Sequence, residues 1–90
     1  MKLDFLPKFK KNANKFLREK KISKKMNKFL QQISKNPYYP GLKTHKVESR
    51  HYGQIFSSRL TGDLRILWKF SDKEDKILIF DVGTHDEVYN

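Results

Sequence analysis

The sequence predicts an α+β domain in which a small antiparallel β-sheet packs against two N-terminal α-helices, in the order β-α-α-β-β-β-β. Three observations predict it. Between residues 7 and about 35 the hydrophobic residues recur at helical spacing, whereas after residue 46 they alternate, as in half-buried strands. Between the two regimes lies a segment rich in turn formers, residues 36–46. A chain of 90 residues has room for a single core, so residues 1–90 are read as one domain.

Leu3 and Phe5 alternate with polar neighbours before Pro7, which reads as a short first strand. From Pro7 the period changes, and Phe9, Ala13, Phe16 and Leu17 fall on one helical face opposite lysines and asparagines. Met26, Phe29, Leu30 and Ile33 repeat that stripe after Ser23, an expected N-cap, and the helix stops near Asn36 and Pro37. The two helices are expected to lie antiparallel, joined near Lys20 and Lys21. Lys24 and Lys25 are expected in the first turn of the second helix, where the macrodipole disfavours cations by a few tenths of a kcal/mol. Four strands follow the loop, near residues 47–51, 54–60, 64–70 and 76–82.

The formal net charge is +10, and its distribution is uneven. Residues 1–35 hold twelve Lys and Arg against only Asp4 and Glu19, while residues 36–90 hold eight of each sign. The entire excess therefore lies on the helical part, which suits a polyanionic partner. A lysine-rich solvated surface is the plain alternative. There is no cysteine, which excludes a disulfide framework and a thiolate metal site. No apolar run approaches the roughly 20 residues that cross a bilayer, and no long apolar stretch marks a secretion signal, so a cytoplasmic protein without membrane contact is expected.

Strand parity decides which side chains share a face. The expected helix-side set is Phe56, Leu60, Leu64, Ile66, Trp68, Phe70, Leu78, Phe80 and Val82. Leu60 and Leu64 face the same side only if Thr61, Gly62 and Asp63 form an odd-length turn. That turn sets Arg59 opposite Arg65 on the far face, where like charges are destabilising unless an anion lies between them. By the same parity Arg65 is expected opposite Asp81, a pairing that would make it an ordinary cross-strand ion pair. Extending the last strand brings His85 to the arginine face, with Asp63 at its rim. Asp81, Asp86 and Glu87 match no metal-ligand spacing, so neither a metal nor another cofactor is expected.

Three segments together resemble the RelE/ParE toxin superfamily: Asn36-Pro37 with Pro40-Gly41-Leu42-Lys43-Thr44-His45, Ser58 to Trp68, and Gly83 to Tyr89. The similarity is greatest to the RelE/StbE and YafQ-like mRNA interferases and extends over nearly the whole chain when element order is included. It implies a RelE-like fold, and a toxin of a type II toxin–antitoxin system that cleaves mRNA in the ribosomal A site and is neutralised by a cognate antitoxin. The histidines and aspartate of YafQ-like members match His45, Asp63 and His85, and Arg59 stands where those members carry a further histidine. The basic residue and C-terminal tyrosine of RelE-like members match Arg65 and Tyr89.

RNA brings its own nucleophile, the 2′-hydroxyl, so such cleavage needs positioning, proton transfer and charge stabilisation, and no metal. His45 and His85 suit general acid–base work, Arg59 and Arg65 a scissile phosphate, Asp63 the orientation of a histidine or a base role, and Tyr89 stacking or leaving-group support. Lys24, Lys25 and Lys28, with Lys43 and Lys46, are the expected contacts to mRNA and ribosomal RNA. Two other functions stay open from sequence: a ParE-like DNA gyrase inhibitor of the same fold, and a non-catalytic RNA-binding module.

Overall fold

In the computed structural model, which describes residues 1–89, the elements run β1 (Lys2–Phe5), α1 (Pro7–Phe16), α2 (Lys20–Lys35), a single 3-10 turn (Pro40–Leu42), β2 (His45–Ser49), β3 (Gly53–Arg59), β4 (Leu64–Phe70), β5 (Lys76–Thr84) and α3 (His85–Tyr89). The five strands form one sheet in the order β1-β5-β4-β3-β2. β1 runs parallel to β5 and every other neighbouring pair is antiparallel. The expected α+β class and element order hold, with a short C-terminal helix added. No helix among the described residues is long and apolar enough to cross a membrane.

Pro7 starts α1 because its fixed φ suits the first helical position and its missing N–H would be unpaired there anyway. α2 begins earlier than its hydrophobic stripe suggests. Glu19, in extended conformation, is the residue that turns the chain into the helix, and the Ser23 amide already donates to its carbonyl at 2.9 Å. Ser23 is therefore inside the helix and is not its cap. Lys20 and Lys21 occupy the first turn, and Lys24 and Lys25 lie beyond it, so the macrodipole cost falls on a different pair. The N-terminus is tied to the other end of α2, where the Met1 ammonium donates to the Ser34 carbonyl and the Ser34 hydroxyl to the Met1 carbonyl, both at 2.6 Å.

Phe9, Ala13, Met26, Phe29 and Ile33 from the helices close over Leu60, Leu64, Ile66, Trp68, Ile77, Ile79 and Val82 from the sheet. Leu78 and Phe80, expected on that side, are on the other. The cause is a break in register: Leu67 pairs with Asp81 but the next residue, Trp68, pairs with Ile79, leaving Phe80 as an extra residue in β5. Such a bulge resets the alternation of its strand. Ile77 and Ile79 face the helices before it and Val82 after it, while Phe80 joins Ile55, Leu67 and Val88 in a second cluster on the far face.

Asp81 is not opposite Arg65 as expected: the hairpin pairs Phe70 with Ile77, and after the bulge Arg65 pairs with Gly83 and Leu67 with Asp81. Asp81 is only 2% exposed. It accepts hydrogen bonds from Asn12 Nδ2 at 2.7 Å and from the Val82 amide at 2.8 Å, and Lys8 Nζ lies 3.5 Å away. It is the polar clasp between β5 and α1. Asp81→Ala should destabilise the fold by about 1.5–3 kcal/mol, the range for hydrogen bonds to a charged group. Lys8→Ala should cost less than about 1 kcal/mol, because Lys8 is half exposed and its pair is screened. The midpoints of urea unfolding measure both, and equal shifts would contradict the clasp.

Candidate active site

On the face away from α1 and α2, register sets two rows of side chains. Arg59, Arg65 and Gly83 form one across β3, β4 and β5, and His45, Ser57 and Leu67 form the next across β2, β3 and β4. The Arg59–Arg65 juxtaposition is the one the odd-length turn predicts. That turn is built by Thr61, whose hydroxyl accepts from the amides of Asp63 at 3.2 Å and Leu64 at 3.0 Å. Arg65 Nη1 donates to three carbonyls, those of Thr61 at 3.0 Å, Leu64 at 3.1 Å and Gly62 at 3.3 Å. Its guanidinium is thus oriented by backbone oxygens. Among the described residues neither arginine pairs with a carboxylate, so the expected Arg65–Asp81 ion pair does not form. Two arginines thus stand opposite each other across the strands without an ion-pair partner among the described residues, a like-charged pairing that an anion would relieve.

His85 does not continue β5; it opens α3. The chain turns because Thr84 and Glu87 form a reciprocal cap: Glu87 Oε1 accepts from the Thr84 amide at 2.9 Å, and the Thr84 hydroxyl accepts from the Glu87 amide at 3.3 Å. The Thr84 amide, and then its hydroxyl, hold the Glu87 carboxyl below the usual carboxylate range. The helix then folds back over Gly83, where an added Cβ would lie 3.2 Å from Glu87 Cβ and 3.3 Å from Val88 Cγ1, and Val88 is buried in the far-face cluster. A side chain at 83 would require α3 to give by a few tenths of an ångström.

Folding back brings α3 across the site. His85 stays solvent-accessible, with 71% of its side chain exposed, and shares a shallow cleft with Gly62, Asp63, Arg65, Thr84 and Asp86. Its Nδ1 lies 3.7 Å from Asp86 Oδ1. Its ring meets Tyr89 edge-on at 4.3 Å between centroids, and the Tyr89 hydroxyl bonds the hydroxyl of Ser57. His45 stands across the strand from that serine. The expected residues therefore form one arc: His45, Tyr89, His85, then Asp63, Arg65 and Arg59. Asp63 and Arg65 share a cleft with His85, while His45 joins from the far end through Ser57 and does not line that cleft.

Ser57 and Asp86 were not among the expected site residues. The signal for Ser57 was its parity with Arg59 on β3, and the signal for α3 was the Thr84–Glu87 spacing of a capping box. Of the expected basic contacts, Lys25 and Lys28 line a groove with Tyr39 and Arg59, and Lys24 does not; Lys43 and Lys46 line a separate cleft beside Tyr38 and Tyr39. Trp68 is buried and donates Nε1 to Ser58 Oγ at 2.8 Å, a core role as expected. No cluster of three or more His, Cys, Asp or Glu side chains suited to a metal ion occurs among the described residues.

No family model and no curated protein matches the chain. Solved structures do share its fold. YafQ from E. coli strain BL21(DE3) superposes with a TM-score of 0.79 at 16% identity, covering 98% of this chain and 97% of that one. The YoeB/ParE toxin from Agrobacterium tumefaciens superposes with a TM-score of 0.78 at 16% identity, over 94% and 99% of the two chains. The match to the E. coli DinJ–YafQ complex has a TM-score of 0.73 at 20% identity, over 98% and 97%. At these identities the likeness is one of fold, and the five-stranded sheet with its two helices is the fold expected from sequence.

The Glu87 cap makes the seat of α3 sensitive to acid. A carboxyl whose folded pKa is depressed contributes stability above its unfolded pKa, near 4.5, and loses it as pH falls through the lower folded value. The Thr84 amide resonance should therefore shift toward a disordered position only below about pH 4.5. In Glu87→Ala it should be shifted at every pH, whereas Glu87→Gln should keep the helix seated and lose the acid transition. Amide spectra recorded across the acid range check this, and an acid transition that persists in Glu87→Gln would contradict it.

Proposed function

We propose that this chain is the toxin of a type II toxin–antitoxin system, a metal-independent endoribonuclease that cleaves mRNA in the ribosomal A site. The observation that carries the proposal is the opposition of Arg59 and Arg65 across β3 and β4, with Arg65 sharing one cleft with His85 and Asp63. Support comes also from the fold shared with YafQ and with the YoeB/ParE toxin. One of the matched structures is a complex of YafQ with DinJ, which supports a cognate antitoxin as partner here.

In the proposed reaction the 2′-oxygen attacks the adjacent phosphorus and gives its proton to a base, while the bond to the 5′-oxygen breaks and that oxygen takes a proton from an acid. The products are a 2′,3′-cyclic phosphate and a 5′-hydroxyl. Arg59 and Arg65 hold the phosphate and stabilise the charge gathering on its oxygens, an effect strengthened because the Arg65 head is preoriented by three carbonyls. His85 moves a proton at the reacting centre, Asp63 orients it across the cleft, and His45 is the second titratable group of the arc. Tyr89 fixes the His85 ring and offers its own face to a base. A gyrase inhibitor would need no such set of proton-transfer groups beside an anion site.

Expression of the chain without an antitoxin should stop incorporation of labelled amino acids before that of thymidine, and primer extension should map cuts in translated mRNA. Loss of DNA synthesis first would replace this proposal with gyrase inhibition. His85→Ala should lower cleavage about 10²–10⁴-fold, the usual contribution of a positioned acid or base, with the fold kept because the ring fills no core position. Replacing Lys24, Lys25 and Lys28 by Gln should flatten the salt dependence of RNA binding by roughly 0.7 in log–log slope per lost phosphate contact. With Lys24 outside the groove, most of that change should come from Lys25 and Lys28, and an unaltered slope would make all three a solvated surface.

A further inference from the structure

We propose that the cleft beside the Pro40–Leu42 turn is a stacking subsite for one unpaired base of the RNA strand, with Tyr38 as its platform and Lys43 and Lys46 on the flanking phosphates. This rests on the RNA-directed reading above and adds a second contact point to it. Tyr38 is 77% exposed and Tyr39 44%, the two most exposed large apolar side chains among the described residues. Single exposed aromatics are ordinary, but these two border one cleft together with Phe56, Lys43, Lys46 and His45. Among the described residues no acidic side chain lines that cleft. Flat aromatic walls with cations and no carboxylate fit a base and its phosphates, because every base has a π-face and every nucleotide a negative charge.

The platform is supported from one side although exposed. The Tyr38 amide donates to Asn36 Oδ1 at 3.0 Å, and its ring lies 5.9 Å from that of Phe70, which is edge-on to Phe56 and Trp68 at 6.0 and 5.3 Å. Tyr39 lies over Gly41, where an added Cβ would come within 2.3 Å of its ring, so the glycine makes room for that tyrosine. Lys43 adopts a left-handed conformation, φ 51°, with its amide donating to the Pro40 carbonyl at 3.1 Å. Glycine would be the least strained residue there, and a lysine held in such a conformation fits a role for its side chain. His45 borders both this cleft and, through Ser57, the arc of candidate catalytic residues. A strand cut at Arg59 and Arg65 can thus pass over His45 and seat a neighbouring base against Tyr38.

The test uses the full chain and a single-stranded oligoribonucleotide with 2′-O-methyl riboses, which cannot be cut, carrying 2-aminopurine at successive positions. Fluorescence should be quenched at one position, and Tyr38→Leu should abolish that quenching and weaken binding about 5- to 100-fold, the span of one base–aromatic stack. An abasic residue at the quenched position should cost a similar factor and add little to Tyr38→Leu, since both remove the same contact. Lys43→Gly should weaken binding while melting no lower than the parent protein, because it relieves the left-handed strain. Parent protein that binds none of these oligonucleotides at low salt would overturn the RNA-directed reading itself. Binding that Tyr38→Leu leaves unaltered at every label position would overturn the subsite alone.

Discussion

One extra residue in β5 sets the layout of both faces of the sheet. With Phe80 bulged between Ile79 and Asp81, the strand changes the side to which its alternate residues point. Ile77 and Ile79 can then pack under α1 and α2 while Val82 does so after the shift. Without the bulge, either the isoleucines or Val82 would be turned away from the helices. Phe80 does not lose its burial by leaving that core, because Ile55, Leu67 and Val88 receive it on the other side. The sheet therefore carries apolar clusters on both faces, the smaller one roofed by α3 and Tyr52.

The carboxylate of this strand is engaged elsewhere. Asp81 is held by Asn12 and Lys8, where it secures α1, and it pairs across the strands with Leu67 and not with Arg65. Gly83 arrives opposite Arg65 in its place, and the absence of a side chain there lets α3 lie close. Fold stability and site chemistry are thus linked through adjacent residues of one strand. The like-charged pair Arg59 and Arg65 is tolerated at a cost, reduced for Arg65 by three backbone carbonyls whose dipoles face its guanidinium. An anion between the two would convert that cost into binding.

The basic groove of Lys25 and Lys28 reaches Arg59, and the aromatic cleft reaches His45. The candidate site therefore lies between two approaches, and the proposed RNA strand would span both. Behind the aromatic cleft the rings of Phe56, Trp68 and Phe70 pack against one another.

Much of this was determined by the sequence alone, because it depends on local periodicity. The two helices, the hairpin through Thr61 to Asp63 and the facing of Arg59 and Arg65 follow from spacing of 3.6 or 2 and from the length of a single turn. The start of α2 and the turn into α3 are also local. Glu19 in extended conformation and the Thr84–Glu87 capping box set them, although the hydrophobic stripe and strand parity pointed elsewhere. What only the tertiary structure decided is the partner of Arg65, the sides of Leu78 and Phe80, and the meeting of Tyr89 with Ser57. The sides of Leu78 and Phe80 depend on one residue inserted in one strand, and nothing in the local pattern of residues 76–84 marks a bulge. Its position is chosen where β4, α1 and α3 can all be packed at once, a condition set by contacts far apart in the chain.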